Sequence, residues 1–144
     1  MIENWSSPEE AEREMLGKLE RKEKIMGFGH AIYKDNDPRN GIIKVWSERL
    51  AKDVGDTVLY PVSVRCEEVM WREKKLFCNA DFFHASAYHF MDIPTKLFTP
   101  IFVMSRVTGW AAHVMEQRSD NRIIRPSADY TGPELRKVPP IDAR

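Results

Sequence analysis

Apolar residues return at three- and four-residue intervals in five stretches of this chain, the spacing that lines up one face of an α-helix. The first predicted helix starts at Ser7-Pro8-Glu9-Glu10, where a hydroxyl cap, a proline in the first turn and a glutamate three residues on form a capping box. Ala11, Met15, Leu16 and Leu19 follow on one side, until Lys22 to Lys24 and Gly27-Phe28-Gly29 break the pattern. Asp37-Pro38 repeats the cap-and-proline start, and Ile42, Ile43, Trp46 and Leu50 make a second stripe that Gly55 ends. Trp46 is expected to be a core residue of that helix, as Met70 is of the next. The stretch around Val58 to Val64 has the β-branched content of a strand, but Pro61 stands in its middle and Val62, Cys66, Val69 and Met70 continue a helical stripe.

A fourth, aromatic-rich helix is predicted from Asp81 to Ile93-Pro94, and a fifth from Thr99-Pro100 to Ser119. Beyond it the pattern dissolves into an extended tail with Pro126, Pro133, Pro139 and Pro140. The expectation is an all-α chain without a sheet. The fifth helix is apolar nearly all round, from Leu97 through Phe102, Val107 and Trp110 to Val114, which suits a helix covered on every side. A chain of 144 residues can hardly cover it alone, so a partner or a further domain is implied.

Composition narrows the function more than it suggests one. Lysine plus arginine and aspartate plus glutamate each number 22, so no net field gathers nucleic acid or an anionic membrane. The longest apolar stretch, Leu97 to Val114, is interrupted by Pro100, Ser105, Arg106 and His113 and falls short of a membrane span. No basic-then-apolar leader opens the chain, and a cytoplasmic location is expected. Cys66 and Cys78 could pair, but reduced thiols are the expected state, and their spacing resembles neither a metal site nor a disulfide framework.

By itself, Gly27-Phe28-Gly29 before His30 is a weak signal: a glycine-rich turn lets backbone amides approach a phosphate, and more often marks only a turn. The longer string from Lys24 to Arg39, Lys-Ile-Met-Gly-Phe-Gly-His-Ala-Ile-Tyr-Lys-Asp-Asn-Asp-Pro-Arg, closely resembles the signature segment of the citrate synthase family. Two further blocks resemble that family in order and spacing: Lys74-Lys-Leu-Phe-Cys-Asn-Ala-Asp81, and Phe98 to Gln117 followed by Asn121-Arg-Ile-Ile-Arg125-Pro-Ser-Ala-Asp-Tyr-Thr-Gly132. The runs Phe82 to Met91, Val107 to His113 and Ile123 to Ala128 are more similar to the branch that uses propionyl-CoA than to the branch that uses acetyl-CoA. Cys78 stands where that pattern often has proline, and Asp92 where glycine usually ends the helix.

The resemblance implies a small domain over residues 1–92, with residues 93–144 belonging to a large domain and a homodimer interface. The reaction it implies takes a proton from an acyl-CoA thioester, adds the enol to the ketone of oxaloacetate and hydrolyses the product thioester, giving 2-methylcitrate and CoA from propionyl-CoA. Asp81 is the implied base, at a helix start whose amides favour negative charge. His30 donates to the oxaloacetate carbonyl as it becomes an alkoxide. Arg39 and Arg106 hold the carboxylates with planar guanidinium forks, and Arg125 reaches a neighbouring subunit's site. The backbone of Ile25, Met26, Gly27, Phe28 and Gly29 meets the adenine of coenzyme A, while Lys34, where relatives have arginine, and Lys74 meet its phosphates. No permanent cofactor is implied; the CoA thioester is a substrate.

The family's second histidine, worth about 100-fold or more in rate as an oxyanion donor, belongs to an N-terminal large domain that these residues do not supply. Little turnover is therefore expected of this chain alone. A module that binds CoA or pairs with full-length subunits without catalysing is the reading from a different class. His84 and His89 are expected to be packed or surface residues, and His113 to fill space or meet the interface.

Overall fold

The computed structural model describes residues 1–134 and 139–143. They form α1 (Pro8–Glu20), α2 (Pro38–Val54), α3 (Leu59–Lys74), α4 (Ala80–Phe90) and α5 (Phe98–Ser119), with 3-10 turns at Ile2–Asn4, Thr95–Leu97 and Ile141–Ala143. No strand occurs among the described residues, where a lone antiparallel bridge joins Phe28 to Cys78. The all-α expectation holds. The chain divides into a unit of residues Met1–Ser105 and a second of Arg106–Arg144.

In the first unit α1 packs on α3, and α2 lies along α4. Ala11 and Met15 of α1 are fully buried with Val62, Cys66 and Val69 of α3, and Met70 is buried as expected. Outside this apolar seam, Glu12 accepts from Arg65 at 2.8 Å and Arg72 at 2.7 Å, fixing the register of the two helices at their rim. Phe83, the largest fully buried side chain, sits between Tyr60 and Phe82.

The helix starts follow the sequence signals with small shifts. Ser7 Oγ accepts from the Glu10 amide at 3.2 Å, but Glu10 reaches back to Ser6 rather than to Ser7, closing the box one residue early. Asn79, not Asp81, caps α4, and Asp81 is the second residue of the helix. That helix stops at Phe90, three residues before the expected Ile93, because Asp92 takes a left-handed conformation (φ 57°). Pro61 falls in the first turn of α3, where its missing N–H costs nothing.

The face of α2 differs from expectation. Trp46 is 52% exposed and Ile42 68%, so neither is a core residue. Asn40, Ser47 and Ala51, spaced to share one side of the helix, are buried instead. Small residues let α2 and α4 approach closely, and the seam is pinned by a 2.8 Å bond between the buried hydroxyls of Ser47 and Ser86. The ring of Trp46 lies outward under the Arg49 guanidinium, 5.1 Å from its centroid.

Helix α5 carries no buried residue, although it is as apolar as the sequence suggested: Met104 is 72% exposed, Val107 51% and Trp110 46%. Both cysteines are buried and free. Burial pushes the Cys66 thiol up to about 12 and raises Cys78 further, so neither is a ready thiolate. No described helix is long and apolar enough to cross a membrane.

Candidate active site

The segment between α1 and α2 is held against the start of α4 by backbone bonds that depend on glycine. Gly29 N–H donates to Phe77 O at 2.8 Å, and Asn79 N–H donates to Gly27 O at 3.0 Å. Gly27 has φ +96°, and a Cβ there would sit 2.7 Å from the Phe82 ring. Only glycine lets this strand of backbone lie so close to α4. The Asn79 side chain completes the seam, donating to Gly29 O at 3.1 Å while its oxygen accepts from Asp81 N–H at 3.1 Å. One residue thus ties the turn that carries His30 to the helix turn that carries Asp81.

His30 is fixed in orientation by its own loop. Its Nδ1 accepts from the amides of Ile32 at 3.1 Å and Tyr33 at 3.3 Å. An Nδ1 that accepts leaves the proton of a neutral ring on Nε2. Nε2 lies 3.4 Å from Arg39 Nη2. Two donors so placed do not bond each other; they flank a position suited to an anionic or carbonyl oxygen that accepts from both.

Arg39, in the first turn of α2, is aimed by the buried Asp37. The carboxylate accepts from Arg39 N–H at 3.1 Å, Nε at 2.9 Å and Nη2 at 2.8 Å. Its fourth donor is the Ala80 amide at 2.9 Å, in the first turn of α4. The Arg39 guanidinium, helped by these amides, holds Asp37 down to about 2 against the opposing effect of burial. Tyr33 stacks on His30 at 4.8 Å between centroids and lies 5.6 Å from the Arg39 guanidinium carbon.

Beyond Arg39 opens a cleft of about 400 Å³, lined by Arg39, Ala80, Asp81, His84, Tyr88 and Phe98, among others. The Asp81 side chain is exposed to it and accepts no hydrogen bond among the described residues. The base expected at position 81 and the arginine expected at 39 therefore share one wall, and His30 joins them through Arg39. His84, expected to be a packed or surface residue, lines the cleft, its Nδ1 held to Ala80 O at 2.5 Å. A histidine three residues after the presumed base, on the same helix face, was the available signal.

The residues matched to coenzyme A lie around the other end of the turn. Ile25 packs against the core, Met26 is 68% exposed, and Phe28 stacks on Phe82 at 4.7 Å. The Lys34 ammonium bonds Ala31 O at 3.1 Å, and Lys74 is exposed in the last turn of α3. Arg106 on α5 and Arg125 in the extended tail belong to the second unit.

In this helical unit a carboxylate and an arginine line one cleft with an imidazole beside the arginine, a class of site suited to acid-base chemistry on a carboxylated substrate. Residues 1–127 match the family model for the citrate synthase C-terminal domain, and the chain belongs to that family. It is 72% identical, over its whole length, to a 2-methylcitrate synthase of Shewanella oneidensis, of which it covers 38%. It is 49% identical over its whole length to citrate synthase 2 of Bacillus subtilis, covering 39% of that protein. The structure of a Thermoplasma acidophilum citrate synthase in ternary complex with carboxymethyl coenzyme A and oxaloacetate superposes with a TM-score of 0.83 at 33% identity, covering 99% of this chain and 40% of that one. The chain thus spans less than two-fifths of the length of the curated relatives it matches.

Proposed function

We propose that this chain supplies the proton-abstracting part of an enzyme that condenses propionyl-CoA with oxaloacetate and water to 2-methylcitrate and CoA. The observation that carries the chemistry is the paired donor site: His30 Nε2 and Arg39 Nη2, 3.4 Å apart, beside a cleft into which Asp81 is open. Asp81 takes the α-proton of the thioester. The enol attacks the oxaloacetate ketone, whose oxygen gains charge as His30 donates to it and then protonates it, and water then hydrolyses the thioester so formed, with CoA as the leaving group. Arg39 holds a carboxylate of oxaloacetate, with Arg106 and Arg125 as further ligands, the last in a neighbouring subunit's site. Coenzyme A lies along Ile25 to Gly29, with Lys34 and Lys74 on its phosphates. The thioester and oxaloacetate are substrates, and the reaction calls on no resident cofactor.

We divide the chain at residues 92 and 93 into a small domain and a segment that packs on a large domain and a dimer partner; residues 135–138 and 144 of that segment lie outside the described residues. The exposed apolar surface of α5 supports this division. Propionyl-CoA is favoured over acetyl-CoA by the gap between 72% and 49% identity to the two named relatives. One methylene is worth only about 1 to 3 kcal/mol of discrimination, so the acyl group is the finest part of the reading.

The test is a chimera in which the matching segment of the Shewanella oneidensis enzyme is replaced by this chain, assayed for oxaloacetate-dependent CoA release. Condensation with kcat/KM higher for propionyl-CoA supports the proposal. Higher kcat/KM for acetyl-CoA moves the assignment to citrate synthase, and a folded chimera inactive with both defeats it.

A further inference from the structure

We infer that Asp37 is a positioning residue that couples the oxaloacetate-binding Arg39 to the helix start carrying Asp81, an inference that rests on the condensation reading above. The buried carboxylate has both oxygens committed. Oδ1 accepts from the Arg39 amide and Nε, and Oδ2 from Arg39 Nη2 and the Ala80 amide, all four at 2.8 to 3.1 Å. Two of these bonds aim the guanidinium, one caps α2 at the Arg39 amide, and the fourth fixes the residue before Asp81.

Helix capping alone does not need this arrangement. A cap satisfies the first amides of its own helix, as Asp37 does at Arg39 N–H. The Ala80 bond crosses to another helix, and the two guanidinium bonds orient a side chain that is 45% exposed and would otherwise sample many rotamers. Each donor is satisfied by an anion with acceptor capacity on both oxygens. In Asp37→Asn, with Oδ1 kept as the cap acceptor for Arg39 N–H, the NH2 group takes the Oδ2 position and faces both Arg39 Nη2 and the Ala80 N–H as donor against donor. Asn remains a good helix cap, so the variant removes the coupling and keeps the helix start.

Kinetics in the chimera read the coupling. Asp37→Asn is expected to raise the oxaloacetate KM about tenfold or more, since charge-assisted hydrogen bonds orient Arg39. It is expected to lower kcat as well, and to leave the acyl-CoA KM within about twofold. Asp37→Ser, a second cap without a carboxylate, is expected to behave alike. A purely structural role would move both KM values together with the melting temperature; that result, or an unchanged oxaloacetate KM, overturns the inference. NMR of the chain itself provides a reading independent of activity. The Arg39 Nε–H, assigned by its loss in Arg39→Lys, is expected to exchange slowly at neutral pH and to lose protection in Asp37→Asn. Exchange at the rate of exposed arginines in the wild-type chain overturns the clamp even if neither variant folds, and slow exchange supports it even if the chimera is inactive and the condensation reading fails.

Discussion

Phe83→Ala tests whether the first unit is built around the seam between α2, α3 and α4. Phe83 is fully buried; its ring meets Phe82 edge-on at 5.3 Å and Tyr60 at 6.2 Å. The Lys44 ammonium stands 5.3 Å from its centroid and also pairs with Glu67. Truncation removes the transfer energy of a phenyl ring and leaves a cavity, together about 3 to 5 kcal/mol. Loss of the cation–π contact adds about 0.5 to 1 kcal/mol, a small increment because Glu67 still compensates the lysine. The sum is a large share of a domain stability of about 5 to 15 kcal/mol. Trp46→Ala is the control, since the ring is half exposed and lies beneath Arg49; its cost is expected to stay within about 1 kcal/mol. Urea unfolding followed by circular dichroism gives both values. A Phe83→Ala cost below about 1.5 kcal/mol, or a Trp46→Ala cost equal to it, would refute the assignment of inward and outward faces.

Two further changes follow from the same geometry. Asp37 has its folded-state pKa depressed to about 2 from an ordinary value near about 3.9, so its stabilisation is fully present above that ordinary value and fades as pH falls towards 2. The stability gap between wild type and Asp37→Asn is expected to be about 2 kcal/mol at pH 7 and to close between about pH 4 and pH 2, measured by urea unfolding; a gap independent of pH contradicts the ion-pair origin. Asp92→Gly relieves a left-handed residue (φ 57°) after α4 and is expected to raise stability by about 0.5 to 1 kcal/mol in a thermal melt, whereas a loss would show that the Asp92 side chain contributes a contact of its own.

What could be read from the sequence was local. Ser7 and Asp37 before proline and Gly55 after α2 mark helix ends because caps are satisfied within a few residues, whereas the start of α4 was placed at Asp81, two residues after its cap Asn79. His30, Arg39 and Asp81 were singled out by the resemblance of the segments around them to the citrate synthase family; the structure sets Arg39 and Asp81 on one cleft, with His30 beside Arg39. The inward face of α2 was not legible, because hydrophobic spacing finds a stripe and cannot say whether a neighbour meets it or the small residues opposite. Here Ser47 and Ser86 make the closer contact, and the apolar stripe of Ile42 and Trp46 is left outside. Asp37 looked like an ordinary cap for the same reason: its bond to Ala80 spans 43 positions and leaves no trace in spacing.

The most direct measurement is exchange of the α-hydrogens of propionyl-CoA with deuterated solvent, in the chimera and its Asp81→Asn variant, with a non-condensing oxaloacetate analogue in the site. Exchange lost on the substitution, with affinity for the analogue unchanged, is the expected result. Exchange that persists in Asp81→Asn would mean that another group takes the proton, and would contradict the central claim.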